Sequence, residues 1–125
     1  MVAKVFLTLA GILGALGVAI GAFGAHALEG KLDERAIAIF ETATRYQLIH
    51  ALAIALVALL ALQQGEEIST PLAVSGWSYC AGILLFSGSL YALALSGVKI
   101  LGAIAPLGGT AFIMGWIALA LSAWR

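Results

Sequence analysis

The stretch VFLTLAGILGALGVAIGAFGA, Val5 to Ala25, contains no charged residue and is long enough to cross a bilayer as one helix. A hydrocarbon core about 30 Å thick requires about 20 helical residues. Three further stretches have the same character: Tyr46 to Leu62, Leu72 to Leu95 and Ile100 to Trp124. Because lipid offers the backbone no hydrogen-bond partner, each stretch is predicted to be a helix. The predicted fold class is therefore all-α, an integral membrane bundle of four transmembrane helices in a single domain, residues 1–125.

The composition supports a membrane protein and excludes a nucleic-acid binder. Hydrophobic residues make up 63% of the 125 residues and charged residues 10%, whereas soluble domains are roughly half apolar and a quarter charged. Six Lys and Arg balance six Asp and Glu, so the basic surface that phosphates require is missing. We expect the lipid bilayer as the partner, with a homo-oligomer or a membrane-protein partner left open. Cys80, the one cysteine, is interpreted as a packing residue.

The first apolar stretch has one alternative interpretation, a cleavable signal peptide. Lys4 would be its basic region, and Ala25-His26-Ala27 its small-residue cleavage site. The apolar core of a signal peptide is only about 7 to 15 residues long. The longer run from Val5 therefore favours a true membrane span.

The connection between the first and second spans is the longest, and its second half is predicted to be helical. Asp33 is a favoured N-cap residue, and no Gly or Pro interrupts the chain from there to Gln63. About 31 helical residues would be about 46 Å long, which exceeds the hydrocarbon core. The segment from about 33 to 45 is therefore predicted to be amphipathic and partly interfacial.

Glycines line one side of the first span. At 100° per residue they fall within an arc of about 140°, with bulky side chains opposite. Small residues allow helices to approach closely in lipid. We interpret this face as a helix contact, and the alternative is a smooth pore wall. The glycines are Gly11, Gly14, Gly17, Gly21 and Gly24.

The fourth span contains a predicted bend at APLGG. Pro106 has no N–H and leaves the carbonyl of Gly102 without its helical partner, while Gly108 and Gly109 loosen the next turn. Hydroxyls of the third span, such as that of Tyr91, could satisfy the carbonyl. The alternative is that the freed carbonyl binds an ion, as in the broken helices of transporters.

Polar and charged residues are predicted to meet at one end of the bundle. Glu41 and Arg45 are spaced for an ion pair on the amphipathic segment, and Tyr46 and His50 follow at the edge of that face. The first span ends and the fourth begins at the same end of the bundle. The candidate polar cluster is His26, Glu41, Arg45, Tyr46, His50 and Lys99.

Three interpretations of the candidate polar cluster are open. The first is an interfacial network that positions the amphipathic segment. The second is a vestibule that relays a proton, an ion or a small solute, with the Pro106 bend as a gate. The third is a metal or haem site at His26 and His50, which no HxxxH, HExxH or CxxC spacing supports. No metal or cofactor is therefore predicted. No arrangement typical of catalysis is present, so we predict no enzyme and no catalytic residue.

The orientation follows from the basic residues that flank the spans. Lys31, Arg35, Arg45 and Lys99 fall at one end, and Lys4 and Arg125 at the other. Basic residues concentrate on the cytoplasmic side. Both termini are therefore predicted to lie outside the cytoplasm.

Four stretches together resemble a known family: GAFGAHAL (21–28), FETATRYQLIHALAI (40–54), LLFSGSLYALAL (84–95) and APLGGTAFIMGW (105–116). The chain resembles the YgdD-type small inner-membrane proteins of bacteria, the family of domain of unknown function 423. The resemblance implies a four-helix protein of the bacterial plasma membrane, and it implies no activity, substrate or catalytic residue. Relatives often have His where this chain has Gln47, and Thr where it has Ala105. We predict a structural or accessory bundle, and the alternative is a small channel or transporter subunit.

Overall fold

The computed structural model describes residues 1–124 as four helices joined by short connections. All four are long and apolar enough to cross a membrane, and the described part of the chain contains no strand. The predicted all-α fold with four membrane helices is confirmed. Arg125, one of the residues used to predict the orientation, lies outside the described residues. The helices are α1, Val2–Ala27; α2, Glu34–Gln64; α3, Thr70–Ser96; and α4, Leu101–Ser122.

Helix α2 starts at its predicted cap and continues without interruption through the amphipathic segment. The Asp33 carboxylate accepts a hydrogen bond of 2.8 Å from the N–H of Ala36, which satisfies one of the first free donors of the helix. The helix has 31 residues, about 46 Å at 1.5 Å each, so it is longer than a bilayer core. Phe40 and Ala43 are buried. Three charged side chains of the same segment are exposed: Glu34, Glu41 and Arg45.

Helix α3 changes its winding in the middle of the membrane span. Ile83–Ser87 forms a π-helical turn, in which the N–H of Gly88 donates to the carbonyl of Ile83. The helix ends at Ser96. The next residue, Gly97, has a left-handed φ of 71°, and its N–H donates to Leu93 O at 2.8 Å. Glycine adopts this conformation at no steric cost. The chain then turns directly into α4.

Helix α4 passes through Pro106 without a break. The hydroxyls that were expected to satisfy the carbonyl freed by this proline bind elsewhere. Ser75 Oγ donates to Gly115 O at 2.8 Å, and Ser87 Oγ donates to Ala43 O at 2.7 Å. The hydroxyls therefore join neighbouring helices, and a bend at Pro106 stays a prediction.

Helix α2 is the centre of the bundle. Helix α1 packs along α2, α3 packs along α4, and α2 also contacts the whole length of α3. Of the four helices α2 is the most buried and α1 the least. The core between them is filled by large side chains that are fully buried: Phe6, Ile54, Val57, Leu72 and Tyr79.

Three of the five glycines on α1 form the contact with α2. Cβ atoms added there would meet α2 side chains at less than van der Waals distance. The pairs are Gly17 with Leu48, Gly21 with Thr44, and Gly24 with Phe40.

Gly11 and Gly14 do not take part in this contact, because an added Cβ would meet nothing within 4 Å at either position. The buried line on α1 repeats every seven residues, through Ala3, Ala10, Gly17 and Gly24. A seven-residue repeat is typical of two helices that pack along each other. Gly11 is one residue, or 100°, away from that line, so it faces outward.

Candidate functional site

The predicted polar cluster does not assemble as one site. Of its members, Tyr46 and His50 lie together, with ring centroids 6.1 Å apart. His26 is exposed in the last turn of α1, and Lys99 is exposed in the connection before α4.

Glu41 and Arg45 do not form the predicted ion pair, and no side-chain ion pair occurs between residues 1 and 124. Both side chains are exposed on α2. An exposed pair of this kind contributes only about 0 to 1 kcal/mol, and holding two long side chains together costs conformational entropy. The two charges are therefore separate features of the amphipathic face.

Both ring nitrogens of His50 are engaged, and their partners determine its tautomer. Nδ1 lies 2.7 Å from the carbonyl oxygen of Tyr46, and Nε2 lies 3.0 Å from Nε1 of Trp116. The indole N–H can only donate, so Nε2 must accept, and Nδ1 must carry the proton that it donates to Tyr46 O. His50, which is 3% exposed, is therefore a neutral imidazole that joins α2 to α4.

An aromatic cluster surrounds this imidazole. The ring of His50 stacks on that of Phe112, with centroids 3.6 Å apart and an interplanar angle of 10°. Edge-to-face and tilted contacts, with ring centroids about 5 to 6 Å apart, complete the packing. The rings of Tyr79 and Trp116, for example, have centroids 5.1 Å apart. The aromatic cluster consists of Tyr46, His50, Tyr79, Phe86, Phe112 and Trp116.

Glycines of α3 and α4 make room for the aromatic cluster. Gly82 lies against the ring of Phe112, and Gly115 against the ring of Tyr79. Gly108 lies against the backbone nitrogen and Cα of Phe86, within the π-helical turn. An added methyl group there would meet main-chain atoms, which cannot move aside as a flexible side chain can. We predicted that Gly108 loosens the helix, but its visible role is to bring α4 close to α3.

The other two glycines assigned to the bend are not in tight contact with a neighbouring helix. An added Cβ at Gly109 would lie 4.0 Å from the Phe86 side chain, and one at Gly102 would lie 3.6 Å from that of Leu93. Both distances are ordinary van der Waals contacts. Gly109 also borders, together with Pro106, a cavity of about 450 Å³ beside the aromatic cluster.

A second polar group, centred on Gln47, joins three helices. Its Nε2 donates to the carbonyl of Leu13 on α1 at 2.9 Å, and its Oε1 accepts from the Tyr91 hydroxyl of α3 at 2.7 Å. That hydroxyl also lies 3.2 Å from Thr44 Oγ1. Gln47 is buried, so both ends of its amide are satisfied inside the bundle.

A comparison with known proteins assigns the chain to a family. The family model described as "Protein of unknown function (DUF423)" matches residues 20–109. This chain belongs to the DUF423 family. The resemblance seen in the sequence is thereby confirmed, while no solved structure is significantly similar to this family member.

Relatives of this DUF423 protein occur in several bacteria and are named membrane proteins. The UPF0382 membrane protein YwdK of Bacillus subtilis is 46% identical over 122 residues, which cover 96% of each chain. A UPF0382 membrane protein of Haemophilus influenzae is 42% identical over 120 residues, or 96% of this chain and 94% of the relative. This chain is therefore a small membrane protein of a family without an assigned activity.

The geometry of this DUF423 protein gives the metal hypothesis no support. No group of three or more His, Cys, Asp or Glu side chains that could hold a metal occurs in residues 1–124. Both nitrogens of His50 already have partners, so it has no free lone pair for a ligand bond.

Several partners in these contacts were not predicted from the sequence. Phe112 and Trp116 are four residues apart on α4, as Tyr46 and His50 are on α2, so each pair presents two aromatic rings on one helix face. The occurrence of two such pairs, which could face each other, was the sequence signal available for the aromatic cluster. Gln47 was noted only as a departure from relatives, because the sequence did not show which helix its amide would meet.

Proposed function

We propose that this DUF423 protein is a structural or accessory protein of the bacterial plasma (inner) membrane and is not an enzyme. The observation that supports the proposal most is the state of His50. Its two nitrogens bind Trp116 and Tyr46, and its ring stacks on Phe112 and packs beside Tyr79. A histidine that relays protons or binds a solute needs one ring nitrogen that is free to exchange a proton or to bind the solute.

Several other polar side chains of the interior support the same role, because they form hydrogen bonds between neighbouring helices. Interhelical hydrogen bonds of this type contribute about 0.6 kcal/mol each on average in membrane proteins. Their combined effect is to specify one arrangement of the four helices. The five bonds are Gln47 to Leu13 O, Tyr91 to Gln47, Ser87 to Ala43 O, Ser75 to Gly115 O, and Trp116 to His50.

The alternative is a small channel or transporter subunit, and the observation in its favour is the cavity of about 450 Å³ that borders His50. Several residues of its lining are exposed, including Pro106, Thr110 and Ile113. The cavity therefore lies at the outer surface of the bundle. In a membrane this surface faces lipid or another subunit.

A flux measurement separates the two functions. The protein is reconstituted in liposomes that contain a pH-sensitive dye, and proton flux is compared with that of protein-free liposomes and of liposomes with a proton ionophore. We expect no flux above the protein-free level. Flux that His50→Ala or Glu41→Gln abolishes, and that the lipid-facing control Leu52→Ala retains, would establish the transport function instead.

An accessory function also requires contact with another protein through an exposed face. A photoreactive amino acid is placed at Val18 on α1 and at Leu84 on α3, which are 62% and 74% exposed. After illumination of intact cells we expect a defined adduct at one of these positions, either with a second copy of the chain or with a different membrane protein. Adducts with lipid alone at both positions would contradict an accessory role through these faces.

A further inference from the structure

A larger cavity lies at the end of the bundle where the first and third connections meet. Its volume is about 780 Å³, within the range of about 300 to 1,000 Å³ that is common for small-molecule sites. It shares no residue with the aromatic cluster. Part of α2, the end of α3 and the start of α4 line it. Three basic residues from three separate segments line it: Lys31, Arg35 and Lys99.

The side chains that line this cavity carry a net positive charge. Asp33 is its one acidic residue, so three basic residues less one acid leave a net charge of +2. The Asp33 carboxylate already accepts the N–H of Ala36 as the cap of α2. No ion pair forms among residues 1–124, so all three cations are available to a ligand. An anion bound between them would reduce their mutual repulsion.

The rest of the cavity wall is largely apolar. Ile39 of α2 and Leu93 of α3 lie on it, with Leu32, Ala36, Ala94 and Leu95 nearby. Positive donors beside an apolar wall, at the end of the bundle where α3 ends and α4 begins, match an amphiphile with an anionic head. Basic pockets of this kind between membrane helices bind phospholipid headgroups.

We propose that this cavity binds the phosphate group of an anionic phospholipid. Lys31, Arg35 and Lys99 donate to the phosphate oxygens, and Arg35 can donate two parallel hydrogen bonds. Ile39 and Leu93 contact the glycerol and the first carbons of the acyl chains. The site is independent of the structural role proposed for the bundle, because it uses none of the residues of the aromatic cluster.

The test compares two double variants with the same loss of charge. Arg35→Gln with Lys99→Gln removes two cations of the cavity, and Arg45→Gln with Lys4→Gln removes two exposed cations outside it. The full chain in detergent is titrated with dioctanoyl phosphatidylglycerol, dioctanoyl phosphatidylcholine and inorganic phosphate. Binding is followed by native mass spectrometry, and thermal unfolding checks that the variants are folded.

We expect the cavity variant to bind phosphatidylglycerol about 10-fold more weakly or worse, and the control variant to stay within about 2-fold of the wild type. We also expect the wild type to bind phosphatidylcholine and inorganic phosphate at least about 10-fold more weakly than phosphatidylglycerol. Equal losses in both double variants would overturn the proposal, because the attraction would then be a general surface effect. Inorganic phosphate that binds as tightly as the lipid would assign the cavity to a soluble anion instead. If the cavity double variant does not fold, the comparison of Arg35→Gln with Arg45→Gln replaces it.

Discussion

His50 is an ionisable side chain inside a membrane bundle, and its neighbours explain how it is accommodated there. A charged residue in hydrocarbon costs at least several kcal/mol. Here the imidazole is neutral, because Trp116 can only donate to one nitrogen and the carbonyl of Tyr46 can only accept from the other. Its polar atoms are satisfied, and its ring surface packs on Phe112 as an aromatic hydrocarbon would.

Trp116→Phe tests whether the indole N–H stabilises the bundle. The variant retains an aromatic ring but leaves Nε2 of His50 buried without a donor, so we expect the free energy of unfolding to fall by about 1 to 3 kcal/mol. SDS titration followed by circular dichroism measures this. Trp77→Phe is the matched control, because Trp77 is half exposed and its ring packs on the buried ring of Phe6. Equal losses in both variants would contradict a specific bond to His50.

His50→Ala removes both hydrogen bonds and the stacked ring. We expect a loss of about 3 to 5 kcal/mol in the same titration, since a cavity forms and the Trp116 N–H loses its acceptor. Leu52→Ala, on the exposed side of the same helix, should stay within about 0.5 kcal/mol of the wild type. A loss at His50 no larger than at Leu52 would show that the aromatic cluster does not stabilise the fold.

Between helices, α4 lies close against the main chain of α3 at the π-helical turn. The turn places the main chain of Phe86 directly against Gly108, and a π-helical turn is a local widening of the helix. The contact therefore depends on a glycine on one side and on an irregular backbone on the other. Neither feature alone would have predicted it, because a glycine in a membrane helix also occurs where helices do not touch.

Gly108→Ala tests this contact, and Gly11→Ala, at a glycine inside another membrane helix, is the control. An added Cβ at Gly108 would overlap the Phe86 backbone, whereas at Gly11 it would meet nothing within 4 Å. We expect Gly108→Ala to destabilise the bundle by about 2 kcal/mol or more. Gly11→Ala should be neutral or stabilising by up to about 1 kcal/mol, because alanine favours the helix. Unfolding in SDS measures both, and a reversed order would refute the packing.

A double-mutant cycle tests whether Gln47 joins α2 to α3. Gln47→Leu and Tyr91→Phe each remove one side of the 2.7 Å hydrogen bond. We expect a coupling energy of about 0.6 to 1.7 kcal/mol from the four unfolding free energies. The control cycle pairs Tyr91→Phe with Thr42→Ala, whose hydroxyl binds only within its own helix, and its coupling should be close to zero. Zero coupling in both cycles would show that the bond does not stabilise the fold.

For the whole molecule, the distribution of basic residues predicts the orientation. Lys31, Arg35 and Lys99 converge on one end of the bundle, while Lys4 lies near the start of α1 at the opposite end. We propose that the basic end faces the cytoplasm and that both termini face the outside. The proposed lipid site would then lie in the cytoplasmic leaflet.

Fusion of reporters to the C-terminus measures this orientation. We expect an alkaline phosphatase fusion, which is active only outside the cytoplasm, to be active, and a fusion to green fluorescent protein exported through the Sec pathway to be dark. A fluorescent protein inserted in the connection at Gly30 is the internal control and should be bright. The opposite pattern of activities would reverse the proposed topology.

The number of helices and their membrane character followed from the sequence alone, because lipid leaves a long apolar segment no structure other than a helix. The start of α2 was also predictable, since Asp33 is a capping residue and no Gly or Pro follows it until Gly65. The contacts between helices were not predictable from the sequence. They depend on how far each helix is rotated about its axis, and the nearly uniform hydrophobicity of these helices carries little information on that rotation. Only the packed bundle showed that Gly17 contacts α2 while Gly11 does not, that His50 meets Trp116, and that Lys99 lines the same cavity as Lys31 and Arg35.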